Sequence, residues 1–410
     1  MKRLVLCCDG TWNHAVNSRV TNVEKLERCV VQGLVPNPDG DDAVQIVGYV
    51  GGVGARGYKV DQLLGGAFGY GLTRNVVDGY RFLATTSAEH DEIYVVGFSR
   101  GAFTARSVVG MISQVGLLTP EAVDAGMLDD ALRTYRIPLD APGAKETKAA
   151  FKAEHSASPR VRFLGVYDTV GALGVPGITR GRSRFHDVVL SGIVDTARQA
   201  LAIDERRMTF TPCLWRVPDG DTPGRVQQVW FPGAHSDVGG GAPRSGLSDV
   251  ALHWMADELE RAGLVLDRDR LARQRGHDPL VLDPRPHVLF RALNLGRRVV
   301  SRSGLVDGRQ VFRDGLRVLA LEPPATPGTA TASAVVTAPT DGDTPATPAA
   351  AARWADAVAL ADTATRYAQR DHYTERARNL AWWVEAAGGL DLVPTVDVGA
   401  ADDERPLLTA

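Results

Sequence analysis

At 410 residues, with 44% hydrophobic and 23% charged side chains, the chain has an ordinary globular composition, with room for one large α/β domain and decorations or for two domains. Its net charge of −3, with arginines spread along the chain and not gathered into a stripe, argues against nucleic acid as a partner and against bulk attraction to an anionic membrane. The four cysteines, Cys7, Cys8, Cys29 and Cys213, have no CxxC spacing and no paired pattern, so neither a zinc ribbon nor a disulfide framework is expected.

The N-terminal apolar run Leu4–Cys8 is too short for a signal-peptide core and reads as a first strand that ends before Asp9. No window approaches the length of a membrane span, so no stable membrane insertion is expected. The default location is cytoplasmic, with export by a dedicated secretion system left open. A helix is expected around Val20–Gln32, a strand at Val44–Val50, a helix from about Leu72 to Thr85, a strand at Ile93–Val96 and a helix from Arg100 to about Gln114. Residues 117–158 have mixed charge and little strand character, and read as a helical or loop insertion where this architecture often carries a lid. Strands at Val161–Tyr167 and Val226–Phe231 follow. Ser248 is placed to cap a further helix, with Ala251, Met255, Leu259 and Ala262 on one face and Gly263 as its stop.

Residues 323–352, rich in Pro, Ala and Thr, read as a loop or linker. Residues Trp354 to about Glu385 regain helical character. The chain therefore divides into a main α/β domain at 1–322, the linker, and a C-terminal helical segment at 353–410 that docks on the main domain. Alternation of strand and helix implies a mostly parallel sheet with helices on both faces. In such sheets functional groups collect at the carboxyl ends of the strands.

Gly97-Phe98-Ser99-Arg100-Gly101 fits the G-x-S-x-G nucleophile elbow, a tight strand-to-helix turn that lifts a serine hydroxyl into the cleft. A serine needs a base. Of the nine histidines, His235 in FPGAHSDVGGG directly follows an expected strand in a glycine-rich loop; His14 is its best competitor, and His253 reads as a packing or surface residue. Asp168 ends the strand VRFLGVY where an acid faces the cleft, so it is the candidate orienter. The chain order Ser99, Asp168, His235 is that of α/β hydrolases. Asp237 is an alternative orienter, or a cap of its own loop. The oxyanion hole is expected to use the backbone N–H of Arg100, with Gly10 or Thr11 as second donor and Asp9 bracing that loop; the other reading of Asp9-Gly10 is a simple turn.

A competing signal is Gly52-Val53-Gly54-Ala55-Arg56-Gly57, which matches G-x-G-x-x-G after a strand. It leads into more glycine instead of an apolar helix, and no second strand ending in an acid follows about twenty residues on. A loop flanking the active site is the better account, and a nucleotide-binding oxidoreductase is the weaker alternative.

Taken together, LVLCCDGTWN, the GGVGARG loop, VVGFSRGAFTAR, FLGVYDTVGALG, AIDERRMTFTPCLW and VWFPGAHSDVGGG resemble, in order, the catalytic domain of type VI secretion phospholipase effectors, over roughly residues 1–260. The resemblance implies an α/β-hydrolase-like fold and lipase-like ester hydrolysis, and supports Ser99, Asp168 and His235 as the triad. It adds AIDERR (Ala202 to Arg207) as a family segment without a chemical role. The expected function is a serine esterase that forms an acyl-enzyme on a lipid or smaller soluble ester, with no metal or organic cofactor. A hydrolase-like binding module without activity is the other alternative. Acyl chain, head group and oligomeric state are open.

Overall fold

The computed structural model describes residues 1–10, 20–37, 40–52, 66–170, 190–217, 220–274, 280–282, 294, 305–306, 309–310, 312–319, 358–399 and 407–409. His14, Thr11, most of the Gly52–Gly57 loop and the 323–352 linker lie outside the described residues.

The architecture is α/β. A nine-stranded sheet is built from β1 (Lys2–Cys8), β2 (Gly33–Val35), β3 (Ala43–Val50), β4 (Glu92–Phe98), β5 (Val161–Tyr167), β6 (Val194–Ala202), β7 (Val226–Phe231), β8 (Val358–Ala361) and β9 (Thr395–Val396). Their spatial order is β9-β8-β7-β6-β5-β4-β1-β3-β2. Only β2 runs antiparallel to its neighbour in this sheet. Because a parallel sheet is covered on both faces, its strands read as continuous apolar runs. In β1, Val5 and Cys7 join one core while Leu4, Leu6 and Cys8 join the other. This two-sided burial is why the expected strands coincide with β1, β3, β4, β5 and β7.

Helices α1 (Asn22–Cys29), α8 (Gly246–Arg261) and α9 (Arg268–Arg273) cover one face; α2 (Gly66–Thr86) and α3 (Arg100–Val115) cover the other. Thr21 caps α1, its hydroxyl accepting from the Glu24 N–H at 3.2 Å. The helix expected to start near Ser248 begins at Gly246, with Ser245 and not Ser248 in the cap position. Ser248 instead lies inside it and donates its hydroxyl to the Ser245 carbonyl, while the Ser245 hydroxyl reaches Asp249.

The 117–158 insertion is closed at its base by an antiparallel pair, Leu117–Leu118 with Ser156–Ala157. Between them run α4 (Pro120–Asp124), α5 (Leu128–Tyr135) and α6 (Ala144–His155). Buried Lys148 on α6 ties the insertion to α3 through Gln114 Oε1 at 2.8 Å, and Arg136 reaches Thr73 on α2 at 3.0 Å.

β6 was not expected as a strand, because VDTARQALA carries Asp195, Thr196, Arg198 and Gln199 among its alanines. Its polar groups find partners inside the fold. Fully buried Gln199 donates to Gln228 Oε1 on β7 at 3.1 Å and to the Cys213 carbonyl at 3.0 Å, and accepts from Thr169 Oγ1 at 2.7 Å. At the other end, Trp354–Glu385 is not helical throughout. It inserts β8 beside β7 before α10 (Asp362–Arg370), α11 (Tyr373–Arg376) and α12 (Arg378–Ala387). Leu360, Tyr367, Tyr373, Leu380 and Trp383 pack there with Trp230 of β7 in a third core. No helix among the described residues is long and apolar enough to cross a membrane.

Candidate active site

Five neighbouring strands deliver polar residues from their carboxyl ends. Asp9 follows β1, Ser99 follows β4, Asp168 follows β5, Asp204 and Glu205 follow β6, and His235 follows β7. This is where an open α/β sheet gathers its functional groups.

Ser99 sits between β4 and α3 at φ 57°, ψ −118°, a backbone conformation that L-residues avoid and that surrounding structure must enforce. Two contacts enforce it. The Ser99 N–H donates to the Tyr167 carbonyl at 3.0 Å, tying the elbow to the end of β5. The glycines of the motif allow the approach: a Cβ at Gly97 would lie 2.7 Å from Ala102 Cα, and one at Gly101 only 2.1 Å from the Cys8 carbonyl oxygen.

His235 opens α7 (His235–Gly239), with its ring held between Phe98 and Phe210 at centroid distances of 4.7 and 4.8 Å. Its Nε2 is 2.8 Å from Ser99 Oγ and its Nδ1 is 2.6 Å from Asp168 Oδ2. A nitrogen facing a carboxylate carries the proton, so Nδ1–H donates to Asp168 and Nε2 is left to accept the Ser99 hydroxyl. Burial pushes the imidazole below its ordinary pKa, with the Asp168 bond and charge opposing. The uncharged form is therefore favoured, as a proton acceptor requires.

Asp168, at φ 36°, is fully buried and accepts the Ala202 N–H at 3.0 Å. Burial alone would raise its carboxyl, but the Arg317 guanidinium and the His235 hydrogen bond outweigh it and hold the group well below the usual carboxylate range. Arg317 was not foreseen. It is fully buried and donates Nη1 to Oδ1 at 2.6 Å and Nη2 to Oδ2 at 3.0 Å. The sole local signal was the dipeptide Asp314-Gly315 in FRDGLR, which marks a hairpin but says nothing of where its arginine goes.

The remaining candidates divide. Asp237 Oδ2 accepts the Ala234 N–H at 2.9 Å and so caps α7, while Asp168 is the carboxylate on the His235 ring. Buried Asp9 accepts from Thr21 Oγ1 at 2.8 Å, Tyr49 OH at 2.6 Å and the Gly10 N–H at 2.6 Å, fastening the end of β1 to α1 and β3. That last bond commits the Gly10 N–H to Asp9. Gly10 itself lies against the nucleophile, since a Cβ there would be 3.5 Å from Ser99 Cβ. Arg100 is the first residue of α3, so its backbone N–H stands at the positive end of that helix.

The AIDERR segment acquires a role from its contacts. Asp204 Oδ2 accepts the Gly233 N–H at 2.8 Å, and Glu205 Oε2 accepts the His235 N–H at 3.2 Å. Glu205 is itself gripped by Arg207 through Nε and Nη2 at 2.8 and 2.6 Å. From the C-terminal segment, Tyr373 donates its hydroxyl to Asp204, and Asn379 donates to the Ile203 carbonyl at 2.8 Å. Together these bonds fix the loop that carries His235.

The chain was compared with known families, curated proteins and solved structures. Residues 2–258 match the family described as T6SS, Phospholipase effector Tle1-like, catalytic domain. The uncharacterized protein YEL023C of Saccharomyces cerevisiae is 30% identical over 239 residues, which cover 52% of this chain and 33% of the yeast protein. A structure of the Tle1 effector bound to the VgrG spike from the Type 6 secretion system is 21% identical with a TM-score of 0.35, over 60% of this chain and 52% of that one. An uncharacterized protein from Pseudomonas aeruginosa is 19% identical with a TM-score of 0.38, over 64% of this chain and 46% of that one. The matched part thus spans between a third and about half of these relatives. By its residues 2–258, the chain belongs to the family of Tle1-like phospholipase effectors of type VI secretion, matching that family's catalytic domain.

Proposed function

We propose that the chain is a serine hydrolase of carboxylic esters, lipase- or phospholipase-like, in which Ser99, His235 and Asp168 form the catalytic triad. The observation that carries this reading is the hydrogen-bonded series Ser99 Oγ, His235 Nε2 at 2.8 Å, His235 Nδ1 and Asp168 Oδ2 at 2.6 Å, built on a strained elbow. Ser99 Oγ attacks the ester carbonyl while His235 Nε2 takes its proton. Asp168 holds the ring and stabilises the imidazolium. The Arg100 N–H stabilises the oxyanion and, with the Gly10 N–H held by Asp9, Thr11 is the candidate for the second donor. Collapse of the tetrahedral intermediate expels the alcohol, which takes the proton back from His235, and leaves an acyl group on Ser99. Water, deprotonated by His235, then releases the carboxylic acid and restores the hydroxyl. Family membership supports a lipid ester as the substrate class.

The test is labelling with a fluorophosphonate probe, in wild type, Ser99→Ala and His235→Ala, alongside hydrolysis of phosphatidylcholine vesicles and of a short p-nitrophenyl ester. Labelling of the wild type that is lost in both variants supports the triad, and the two substrates then separate lipase from general esterase. A folded wild-type chain that neither labels nor hydrolyses either ester refutes the reading and leaves a hydrolase-like binding module.

A further inference from the structure

The family match ends at residue 258, yet one contact to the Asp168 carboxylate comes from beyond it. Residues Phe312–Arg313 and Leu316–Arg317 pair as a hairpin across Asp314-Gly315, whose φ values of 52° and 78° are those of a type I′ turn. The C-terminal helix α12 secures this hairpin: Arg378 Nη2 lies 3.9 Å from Asp314 Oδ2, and the Arg313 guanidinium stacks 4.5 Å over the Trp382 ring. The last residue of the hairpin, Arg317, then points inward. Besides its two bonds to Asp168, it donates Nη1 to the Ala202 carbonyl at 3.0 Å and Nη2 to the Phe210 carbonyl at 2.7 Å. Its planar fork thus spans the ends of β5 and β6 and the segment beneath His235.

Resting on the triad reading above, we propose that Arg317 is a positioning residue for the reaction, clamping Asp168 in the orientation that receives His235 Nδ1, so that the C-terminal part of this chain completes the active site. Three observations support the clamp. Arg317 and Asp168 are both fully buried, and a buried ion pair is weak evidence for a role in stability, since an apolar pair of similar volume often does as well. Asp168 Oδ2 receives both His235 Nδ1 and Arg317 Nη2, so the guanidinium fixes the plane in which the imidazole must meet it. Asp168 Oδ1 receives Arg317 Nη1 together with the Ala202 N–H, so each carboxylate oxygen takes one arm of the fork.

The clamp also sets the charge around the base. Among the described residues, the charged groups around His235 are Asp168, Glu205 and Arg207, with Arg317 joined to it through the Asp168 carboxylate. They pair off as Asp168 with Arg317 and Glu205 with Arg207, which leaves the imidazole among balanced charges between two phenylalanine rings. Removing Arg317 leaves the Asp168 charge uncompensated beside His235, which favours the imidazolium.

The experiment uses the full chain as wild type, Arg317→Met and Arg317→Lys. Folding is checked by circular dichroism, and fluorophosphonate labelling rates are measured from acidic to neutral pH. For Arg317→Met the expected result is a rate lower by about tenfold to a hundredfold, as for a small misplacement of a catalytic group, with the acid limb moved upward by about one pH unit. Arg317→Lys keeps the charge without the fork, so its acid limb stays near that of wild type while its rate still falls by about tenfold. A folded Arg317→Met with a wild-type rate and an unmoved acid limb overturns the proposal, as does a loss of stability alone. If Arg317→Met does not fold, Arg317→Lys decides, and a wild-type rate there overturns the clamp. Absence of labelling in the folded wild type refutes the triad reading instead, so the two failures are distinguishable.

Discussion

The elbow that presents Ser99 depends on the approach of α3 to the end of β1, and Gly101→Ala tests that dependence. A Cβ at Gly101 would lie 2.1 Å from the Cys8 carbonyl oxygen and 2.5 Å from that of Asp9. Ordinary carbon–oxygen contact needs roughly 3.3 Å, so the added atom must be accommodated by a shift of about 1 Å between backbones. No flexible side-chain end is available to give way, and Cys8 is paired on both sides within the sheet. Overpacking of this kind costs about 1–3 kcal/mol. The same shift moves Ser99 relative to His235, and a misplacement of about 1 Å costs on the order of a hundredfold in rate. Chemical denaturation and the fluorophosphonate labelling rate read the two effects separately. Gly192→Ala, where nothing lies within 4 Å of the new Cβ, serves as the control and is expected to leave both unchanged. A Gly101→Ala protein with wild-type stability and labelling rate would refute the argument that this contact sets the elbow.

Other expectations follow from the same geometry. Asp168→Asn is expected to lower kcat by about 10³- to 10⁴-fold through loss of the tautomer control on His235. It also leaves the Arg317 charge buried and unpaired, at about 3–5 kcal/mol in stability by urea denaturation; a variant as stable as wild type would contradict the ion-pair account. Because burial lowers the His235 pKa, the acid limb of kcat/KM is expected below about 6.5, and a midpoint at or above that value would count against it. The stability sign is the same for both groups. Unfolding lets His235 take up a proton as pH falls below its unfolded value, and the stabilisation from ionised Asp168 is lost as pH falls through its lowered folded value. Denaturation midpoints should therefore decrease on acidification. Asp237→Ala removes the cap on α7, costing about 1 kcal/mol, and should keep labelling within about tenfold of wild type; complete loss would make Asp237 more than a cap.

Much of this site was legible in the sequence because it is locally encoded. Strands buried on both faces announce themselves as apolar runs, and G-x-S-x-G needs its glycines within five residues of one another. Asp168 and His235 were recognisable because each follows such a run at the point where a parallel sheet exposes its carboxyl end. Local pattern also explains the misses. Strand β6 hides behind Gln199, which is polar in sequence but satisfied inside the sheet by Gln228, Thr169 and Cys213. β8 lies in a stretch that reads as helix, and Val358–Ala361 becomes a strand by pairing with β7 on one side and β9 on the other.

By itself, then, the sequence determined the alternation of strand and helix, the elbow, and the three residues that converge on it, since periodicity and turn chemistry act over a few neighbouring residues. The tertiary structure alone decided which charges those residues meet. Arg317 stands 149 positions from Asp168, in a short hairpin whose sequence marks its turn but not its partner. Its burial arises only when the 312–317 hairpin packs on the ends of the strands, and the buttressing of Asp204 by Tyr373 only when the C-terminal segment does the same. A long-range ion pair leaves no periodic trace, because what selects it is the desolvated carboxylate waiting in the fold and not the residues beside it in the chain.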